Sequence, residues 1–337
     1  MKATEYIRIE KNGIPKYKQV ENGIIEAINN RKLKINDKLP SLNDLMQKFN
    51  LSQDTVLNAY NHLKSRGIIS SAIGKGYFIL SDNTIDQHRI FVLFDNLTYY
   101  KEDLYNSINN TIQGHGTIDI YFHHNNAIQY KKLINDAAGN YTSYIIMSIE
   151  DEELDNYLLA TLPPKNVYLL DIASERLKKK YPFVAQNFEK DIIKCLNSEL
   201  NRVKKYSRIR FLNSSKRPHI LRIKKGLTDF SKNQNLSFNV IKDITKSKID
   251  KGDLFFVIKD RDLIKLIEKS KNEKLSIGND IGIISYNETD MKKVMHNGIT
   301  TVSTNFYLMG KTIVKLVLTN SRERIYNEAS LTIRDSI

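Results

Sequence analysis

The chain has 337 residues, of which 41% are hydrophobic and 27% are charged, a balance typical of folded soluble proteins. This length predicts two or three domains, each large enough to bury a core. The longest apolar runs are too short to span a bilayer, and the N-terminus lacks the apolar core of a signal peptide. We therefore expect a cytoplasmic protein with no membrane partner. The net charge of +14 is compatible with a nucleic-acid partner, although lysine spread over a solvated surface gives the same value.

Three helices are predicted within the first 66 residues. Apolar residues from Tyr17 to Ile28 recur at helical spacing and predict the first helix, and Pro40 ends the basic loop behind it. Ser41 and Ser52 are good N-caps for a second and a third helix. The second helix is expected to bury Leu42, Leu45 and Phe49. The third is expected to bury one stripe, formed by Val56, Ala59, Tyr60 and Leu63.

A β-hairpin is predicted directly after the third helix. Two β-prone runs, at 68–69 and 77–80, lie on either side of the turn residues GKG at 74–76. Three helices followed by a hairpin make a winged helix-turn-helix. The first turn of the third helix is short, polar and almost uncharged, which suits a helix end that reads base edges in the major groove. The same pattern also occurs on solvated surface helices, because periodicity specifies burial and not function.

Residues 15–80 resemble the DNA-binding head of the GntR family of bacterial regulators. The shared words are LPS at 39–41, LS followed by DTV at 51–56, AY at 59–60, RGII at 66–69 and GKGYF at 74–78. The resemblance implies a head that binds double-stranded operator DNA as one half of a homodimer on a palindromic site. That family usually has arginine at the positions of Asn43 and Gln53, so the bases that this chain reads are left open.

The resemblance also implies which side chains contact DNA. Gln53, Thr55 and Leu57 are expected at or near the major groove, and Ser52 and Asn43 at backbone phosphates. The wing is expected to reach the minor groove, and basic side chains near the helices are expected to add phosphate contacts. The full predicted set is Asn43, Ser52, Gln53, Thr55, Leu57, Lys64, Arg66, Gly74 and Lys75.

From Ile90 onward the pattern changes to that of a parallel α/β protein. Seven strand-like runs are separated by stretches long enough for a helix: 90–94, 118–122, 144–149, 167–171, 209–212, 254–258 and 281–286. Residues 83–89 are polar and predict a linker. The expected domains are a winged helix-turn-helix at 1–82, the linker at 83–89, and an effector-binding and dimerisation domain at 90–337.

The last third of the chain resembles the effector domain of the LacI/GalR family, which is similar to periplasmic sugar-binding proteins. The segments that carry this resemblance are LFFVIKDRDL at 254–263, DIGIISYNE at 280–288 and GITTVSTNFYLMGKTIVKLVL at 298–318. Ile223 stands where that family has the arginine of its Arg-x-x-Gly turn. A GntR head joined to such a body resembles the plan of arabinose-repressor type proteins. It implies a two-lobed, periplasmic-binding-protein-like domain that senses a sugar.

Candidate ligand-binding residues follow the predicted strands, because ligands of open parallel sheets bind beyond the carboxyl ends of the strands. Matching to the LacI/GalR pattern supports several of the same positions, and aromatic side chains are expected to cover an apolar sugar face. Any one of these Asp or Asn residues could instead cap a helix or a turn. The predicted set is Asp95, Asn96, Asp171, Asn187, Asp260, Tyr286, Asn287, Asn305 and Phe306.

The Asp and Asn side chains favour a neutral monosaccharide as the effector, because carboxylates and amides pair with hydroxyl groups. The many basic residues between 176 and 225 leave a sugar phosphate or an acidic sugar as the alternative. Repression or activation, and the direction of the ligand's effect, are left open.

No catalytic, cofactor or metal site is predicted. Cys195 has apolar neighbours and is expected in the core. His123 and His124 are expected on one strand, where adjacent side chains point to opposite faces and do not share an ion. There is no GxxxxGK[ST] phosphate loop. The alternative hypothesis is an α/β enzyme or carrier for a small metabolite whose N-terminal domain serves only association.

Overall fold

The computed structural model describes residues 5–10, 14–84 and 88–337. The described part of the head has three helices and an antiparallel hairpin, which confirms the predicted winged helix-turn-helix. Their bounds are α1 (Lys16–Asn29), α2 (Leu42–Phe49), α3 (Gln53–Ser65), β1 (Ile69–Ala72) and β2 (Gly76–Ile79). Ser41 caps α2 reciprocally: its hydroxyl accepts from the Asp44 N–H at 3.1 Å, and the Asp44 carboxylate accepts from the Ser41 N–H at 2.9 Å.

The predicted apolar stripe of α3 forms the centre of the head's core. Val56, Ala59, Tyr60 and Leu63 are all fully buried. The Tyr60 hydroxyl donates to the Pro40 carbonyl at 2.8 Å. Its ring also packs edge-on against the ring of Tyr77 in β2, with centroids 4.6 Å apart. These contacts fix α3 against both the loop before α2 and the wing.

The rest of the chain forms two α/β lobes. The first lobe opens with β3 (His88–Phe94), α4 (Tyr100–Ile112), β4 (Gly116–Phe122), α5 (Ala127–Ala137), β5 (Ser143–Ile146), α6 (Glu152–Thr161), β6 (Val167–Asp171), α7 (Glu175–Lys178) and β7 (Phe183–Ala185). The second lobe follows with α8 (Phe188–Ser198), α9 (Leu200–Val203), β8 (Arg208–Leu212), α10 (Pro218–Asn233), β9 (Ser237–Ile241), β10 (Asp253–Val257), α11 (Asp260–Asn272), β11 (Gly282–Tyr286), α12 (Asp290–Val294) and β12 (Thr300–Thr304). The chain then adds α13 (Phe306–Leu318) and β13 (Arg324–Tyr326) to the first lobe and β14 (Ala329–Thr332) to the second.

Each lobe is built on one sheet, with six strands among the described residues. The strand order is β13-β7-β6-β5-β3-β4 in the first lobe and β14-β12-β11-β10-β8-β9 in the second. All pairings are parallel except that of β14 with β12. The predicted two-lobed parallel α/β domain is therefore confirmed, and all seven predicted strands are present.

Helices α4 and α13 pack closely on the first lobe and fix the start of α4. A Cβ added at Gly310 of α13 would lie 2.9 Å from the Leu104 carbonyl oxygen, so the close approach requires glycine there. The Ser107 hydroxyl donates to the Tyr307 carbonyl at 2.5 Å. The Tyr100 ring also packs against the Phe306 ring, with centroids 4.5 Å apart, so the start of α4 is fixed against the start of α13.

The predicted linker at 83–89 is only partly described by the structure. Residues 85–87 of the predicted linker lie outside the described residues. His88 and Arg89 of that linker are instead the first residues of β3, because they pair with Gly116 and Thr117 of β4. The other domain boundaries stay a prediction. Cys195 is buried in the core of the second lobe, as predicted.

The placement of His123 and His124 on a strand is wrong. Strand β4 ends at Phe122, and the chain turns there, with His124 at a φ of 51°. In the part of the chain that the structure describes, no group of three or more His, Cys, Asp or Glu is placed to hold a metal ion. No described helix is both long and apolar enough to cross a bilayer.

Candidate functional site

The N-terminal turn of α3 presents a small polar surface. Ser52 caps the helix by accepting from the Thr55 N–H at 3.3 Å, and the two hydroxyls lie 2.8 Å apart. Thr55 and Leu57 are half-buried, whereas Gln53 is exposed at the first helical position. Gln53 is therefore the longest side chain that this helix end offers to a partner, and its amide can both donate and accept hydrogen bonds.

Most of the other predicted DNA contacts lie at exposed positions of the head. Asn43 is exposed in the first turn of α2, and Lys64 is half-buried near the end of α3. At the tip of the wing, Gly74 adopts a φ of 72°, and Lys75 is exposed beside it. Four further exposed cations lie in the loop before α2: Arg31, Lys32, Lys34 and Lys38.

Arg66 is placed differently from its predicted role at a phosphate. Its guanidinium is buried and donates to the Glu21 carboxylate at 2.5 Å and to the Thr84 carbonyl at 2.9 Å. Burial raises the pKa of Glu21, but the hydrogen bonds and charges of His62 and Arg66 outweigh it and leave that pKa below its usual value. Arg66 therefore stabilises the head through a buried ion pair, which does not fit a phosphate contact.

A cavity of about 470 Å³ lies between the two lobes, at the carboxyl ends of their strands. Five of the predicted ligand-binding residues line it: Asp95, Asn96, Asp260, Tyr286 and Asn287. They come from the ends of β3, β10 and β11, as the rule for open parallel sheets requires. Side chains that sequence reasoning did not select also line it, among them Tyr100, Asn213, Arg217, His219, Lys259, Thr289 and Lys292.

Asp171 does not line this cavity, although it was predicted to bind the ligand. It is buried at the end of β6 with a φ of 59°, and its carboxylate accepts from the Gln186 amide at 2.6 Å. Gln186 in turn accepts from the Tyr286 hydroxyl at 2.7 Å. Asp171 is therefore connected to the cavity wall through one buried chain of hydrogen bonds that crosses from the first lobe to the second.

The other three predicted residues also lie outside the cavity. The backbone N–H of Asn187, at the start of α8, donates to the Asp191 carboxylate at 3.1 Å. The Asn305 side chain caps α13 by accepting from the Leu308 N–H at 2.8 Å. Asn305 and Phe306 line a neighbouring cavity of about 360 Å³. Asn305 therefore caps a helix in this structure, which is the alternative to ligand binding that the sequence left open.

Two of the cleft's carboxylates are bound to buried lysines. Lys101 in the first turn of α4 contacts Asp95, and Lys292 in α12 lies 3.0 Å from Asp260. Burial lowers the pKa of Lys101 to about 8, against the opposing charge of Asp171. Burial also lowers the pKa of Lys292, while the charge and hydrogen bond of Asp260 raise it. These lysines therefore neutralise the carboxylates of Asp95 and Asp260, which were predicted from the sequence to bind the ligand.

The basic side of the cleft comes from the loop before α10. Arg217 is exposed and precedes Pro218, and His219 follows on the first turn. Burial is the largest cause that lowers the pKa of His219 to about 3, and the charge of Arg217 lowers it further. His219 is thus a neutral imidazole at physiological pH. The loop before α10 follows the predicted strand at 209–212, so the rule that ligands bind beyond the carboxyl ends of strands could have selected it. No pattern in the sequence indicates the buried Lys101 and Lys292.

Two contacts join the lobes beside the cleft. The Tyr99 hydroxyl donates to the Asp290 carboxylate at 2.9 Å. On the other side, the Arg222 guanidinium donates to the Glu150 carboxylate at 2.7 Å. Each contact pairs a loop of the first lobe with a helix of the second, so a change in the angle between the lobes must break or stretch it.

Two segments of the chain match known protein families. Residues 16–79 match the family described as bacterial regulatory proteins, gntR family, and residues 204–337 match the periplasmic binding protein-like domain family. An uncharacterised HTH-type transcriptional regulator of Bacillus subtilis, YdfD, is 33% identical over 69 residues. That match spans 20% of this chain and 14% of the relative's length.

Solved structures match the fold of the body. A periplasmic binding protein/LacI transcriptional regulator from Alkaliphilus metalliredigens, complexed with D-xylulofuranose, has a TM-score of 0.60 at 14% identity, covering 74% of this chain and 99% of that one. A LacI transcriptional regulator from Lactobacillus brevis has a TM-score of 0.59 at 16% identity, covering 73% of this chain and all of that one. At such low identity the likeness shows the fold alone.

The fold and the matched families together define a two-part architecture. The chain combines a GntR-type helix-turn-helix domain with a periplasmic-binding-protein-like domain whose fold is similar to that of solved LacI regulators.

Proposed function

We propose that the protein is a ligand-controlled transcriptional regulator that binds operator DNA through its head and a sugar or sugar derivative through its interlobe cleft. The observation that carries this proposal is that one chain has both a candidate DNA-binding surface and a candidate ligand cavity. The head has an exposed polar helix start and a basic wing, and the two-lobed body has a cavity at its strand ends. A repressor of carbohydrate genes is the regulator that we favour, acting without catalysis or cofactor.

The head supports the DNA-binding part of the proposal through geometry and charge. Gln53 is exposed at the start of α3, and Lys75 is exposed at the tip of the wing. The exposed cations in the loop before α2 add charge that can contact phosphates. Enrichment of duplexes from a random pool by the full-length chain tests this part. We expect an inverted repeat to be recovered; a pool that stays random after several rounds would contradict it.

We propose that the regulator is a homodimer. Several apolar side chains are exposed on one face, around the starts of α4, α12 and α13: Leu97, Tyr99, Tyr105, Met291 and Tyr307. A second copy that covers this face would bring two heads to the two halves of a symmetric operator.

Sedimentation velocity at micromolar concentration tests the dimer. Leu97→Asp should produce a monomer, because Leu97 is 74% exposed in the single chain and a carboxylate there would be buried by the partner. Ile128→Asp is the matched control, since Ile128 is 81% exposed on α5, in a different part of the lobe. A monomeric wild type, or a Leu97→Asp dimer as stable as the wild type, would contradict the proposal.

A further inference from the structure

The charges that line the cleft do not cancel. Asp95 and Asp260 are its acidic residues, and each is already paired with a buried lysine. Arg217 and Lys259 also line the cavity, and neither side chain forms an ion pair with any residue in the described ranges. The cleft therefore presents two unneutralised cations to whatever it binds.

These two cations follow neighbouring strands of the second lobe's sheet. Strands β8 and β10 are paired in parallel, with Leu212 opposite Val257, and Arg217 and Lys259 follow them in the loops that lead into α10 and α11. Both residues sit at the N-terminal ends of helices of 16 and 13 residues, whose free N–H groups add positive potential at the same place.

The field of Arg217 reaches across the cleft. In the first lobe, burial lowers the pKa of Lys101 to about 8 and that of His123 to about 4, and the positive charge of Arg217 adds to both shifts. In the second lobe it has the same effect on His219. The positive charge of Arg217 therefore acts on groups of both lobes.

Two residues that line the cavity carry buried polar atoms that lack a partner among the described residues. Thr289 is only 7% exposed, yet its hydroxyl has no hydrogen-bond partner among the described residues. The side-chain oxygen of Asn287 is likewise buried, with no partner in the same ranges. Buried groups of this kind are normally satisfied, so the described residues leave hydrogen-bonding capacity unused beside the cavity.

We propose that the effector carries an oxyanion, as a sugar phosphate or a sugar acid does, and that Arg217 and Lys259 bind this group. The inference rests on the proposed function and deepens it by naming the ligand class. It departs from the neutral monosaccharide favoured by the sequence, because Asp95 and Asp260 are occupied by lysines.

The test uses the full-length chain and matched probes at constant ionic strength. Thermal shift and calorimetry measure the binding of each probe. Inorganic phosphate is compared with chloride, glucose with glucose 6-phosphate and gluconate, and ribose with ribose 5-phosphate. The variants are Arg217→Gln and Lys259→Gln. Their matched controls are Lys216→Gln and Lys265→Gln, which remove the same charge from exposed neighbours that do not line the cavity.

We expect phosphate to stabilise the protein relative to chloride, and at least one charged sugar to bind while its neutral parent does not. Arg217→Gln should weaken that binding by about 10- to 100-fold, and the controls by less than about twofold. The phosphate and carboxylate probes then tell the two sources of the oxyanion apart. The inference is overturned if no charged probe differs from chloride, if a neutral parent binds as tightly as its ester, or if Arg217→Gln binds like the wild type.

Binding of duplex DNA, measured on the same samples, separates this inference from the proposed function. A chain that binds its operator but ignores every oxyanion overturns the inference alone. A chain that binds phosphate through Arg217 but shows no affinity for DNA overturns the regulator proposal alone.

Discussion

His123 should make the stability of the body depend on pH. Its ring is fully buried, and Nδ1 accepts from the Asn125 N–H at 3.1 Å while Nε2 lies 3.1 Å from the Met147 carbonyl oxygen. Nε2 must therefore carry the hydrogen, and the ring is neutral. Burial lowers the pKa of His123 from 6.5 to about 4, against the opposing carbonyl of Met147. A second ring proton would face the N–H of Asn125.

The size and sign of the effect follow from linkage. Between pH 6.5 and pH 4 the unfolded chain binds a proton at His123 that the folded chain does not. The free energy of unfolding therefore falls as the pH is lowered through this window, and it is retained above pH 6.5. From pH 7 to pH 5 the loss from this one histidine is about 2 kcal/mol.

Urea unfolding at pH 7 and pH 5, followed by circular dichroism, measures this difference. His123→Gln keeps a donor and an acceptor but cannot be protonated, so its loss between the two pH values should be smaller than that of the wild type by about 2 kcal/mol. The shifted pKa values of other residues cancel in this comparison. His115→Gln, at an exposed position, is the control and should behave like the wild type. Equal pH dependence in His123→Gln and the wild type would refute the assignment of a buried neutral ring.

Four other substitutions test the head and the body. Gln53→Arg should move one position of each operator half-site from A·T to G·C, by about 1 to 3 kcal/mol, because an amide matches adenine and a guanidinium matches guanine; recovery of the same bases by both proteins would show that Gln53 does not read sequence. Asp171→Ala breaks the buried hydrogen-bond chain to Tyr286, and Asp260→Ala leaves Lys292 without its carboxylate partner; each should change ligand affinity through the cavity wall by about 1 to 3 kcal/mol and leave operator binding intact, and unchanged calorimetric affinity in both would show that neither residue shapes the site. Glu150→Gln removes the charge that pairs with Arg222 across the lobes and should broaden the interlobe distances seen by small-angle X-ray scattering; an unchanged profile would mean that this ion pair does not hold the lobes.

The fold was largely predictable because its central strands are buried on both faces. The run at 90–94 is entirely buried in β3, and such continuous apolar runs stand out in a sequence. The edge strands β9 and β14 carry no such signal. Strand β9 is mostly exposed, and the short β14 has an alternating burial pattern, so neither was predicted.

The candidate site was predictable only where local sequence determines position. Asp95 and Asp260 follow strands directly, and the strand-end rule places both in the cleft. Their pairing with Lys101 and Lys292 depends on residues from other elements, which no local pattern reveals. Asp171 also follows a strand, but its carboxylate turns into the buried hydrogen-bond chain and not toward the cavity.

The affinity of the full-length chain for DNA tests the central claim most directly. Fluorescence anisotropy at about 150 mM salt would compare the duplex recovered by selection with a scrambled duplex of the same length and composition. The proposed regulator should bind the selected duplex about a thousandfold or more tightly, since specific and non-specific affinities differ by at least that factor in such proteins. Equal affinity for the two duplexes would contradict the claim that this head reads an operator.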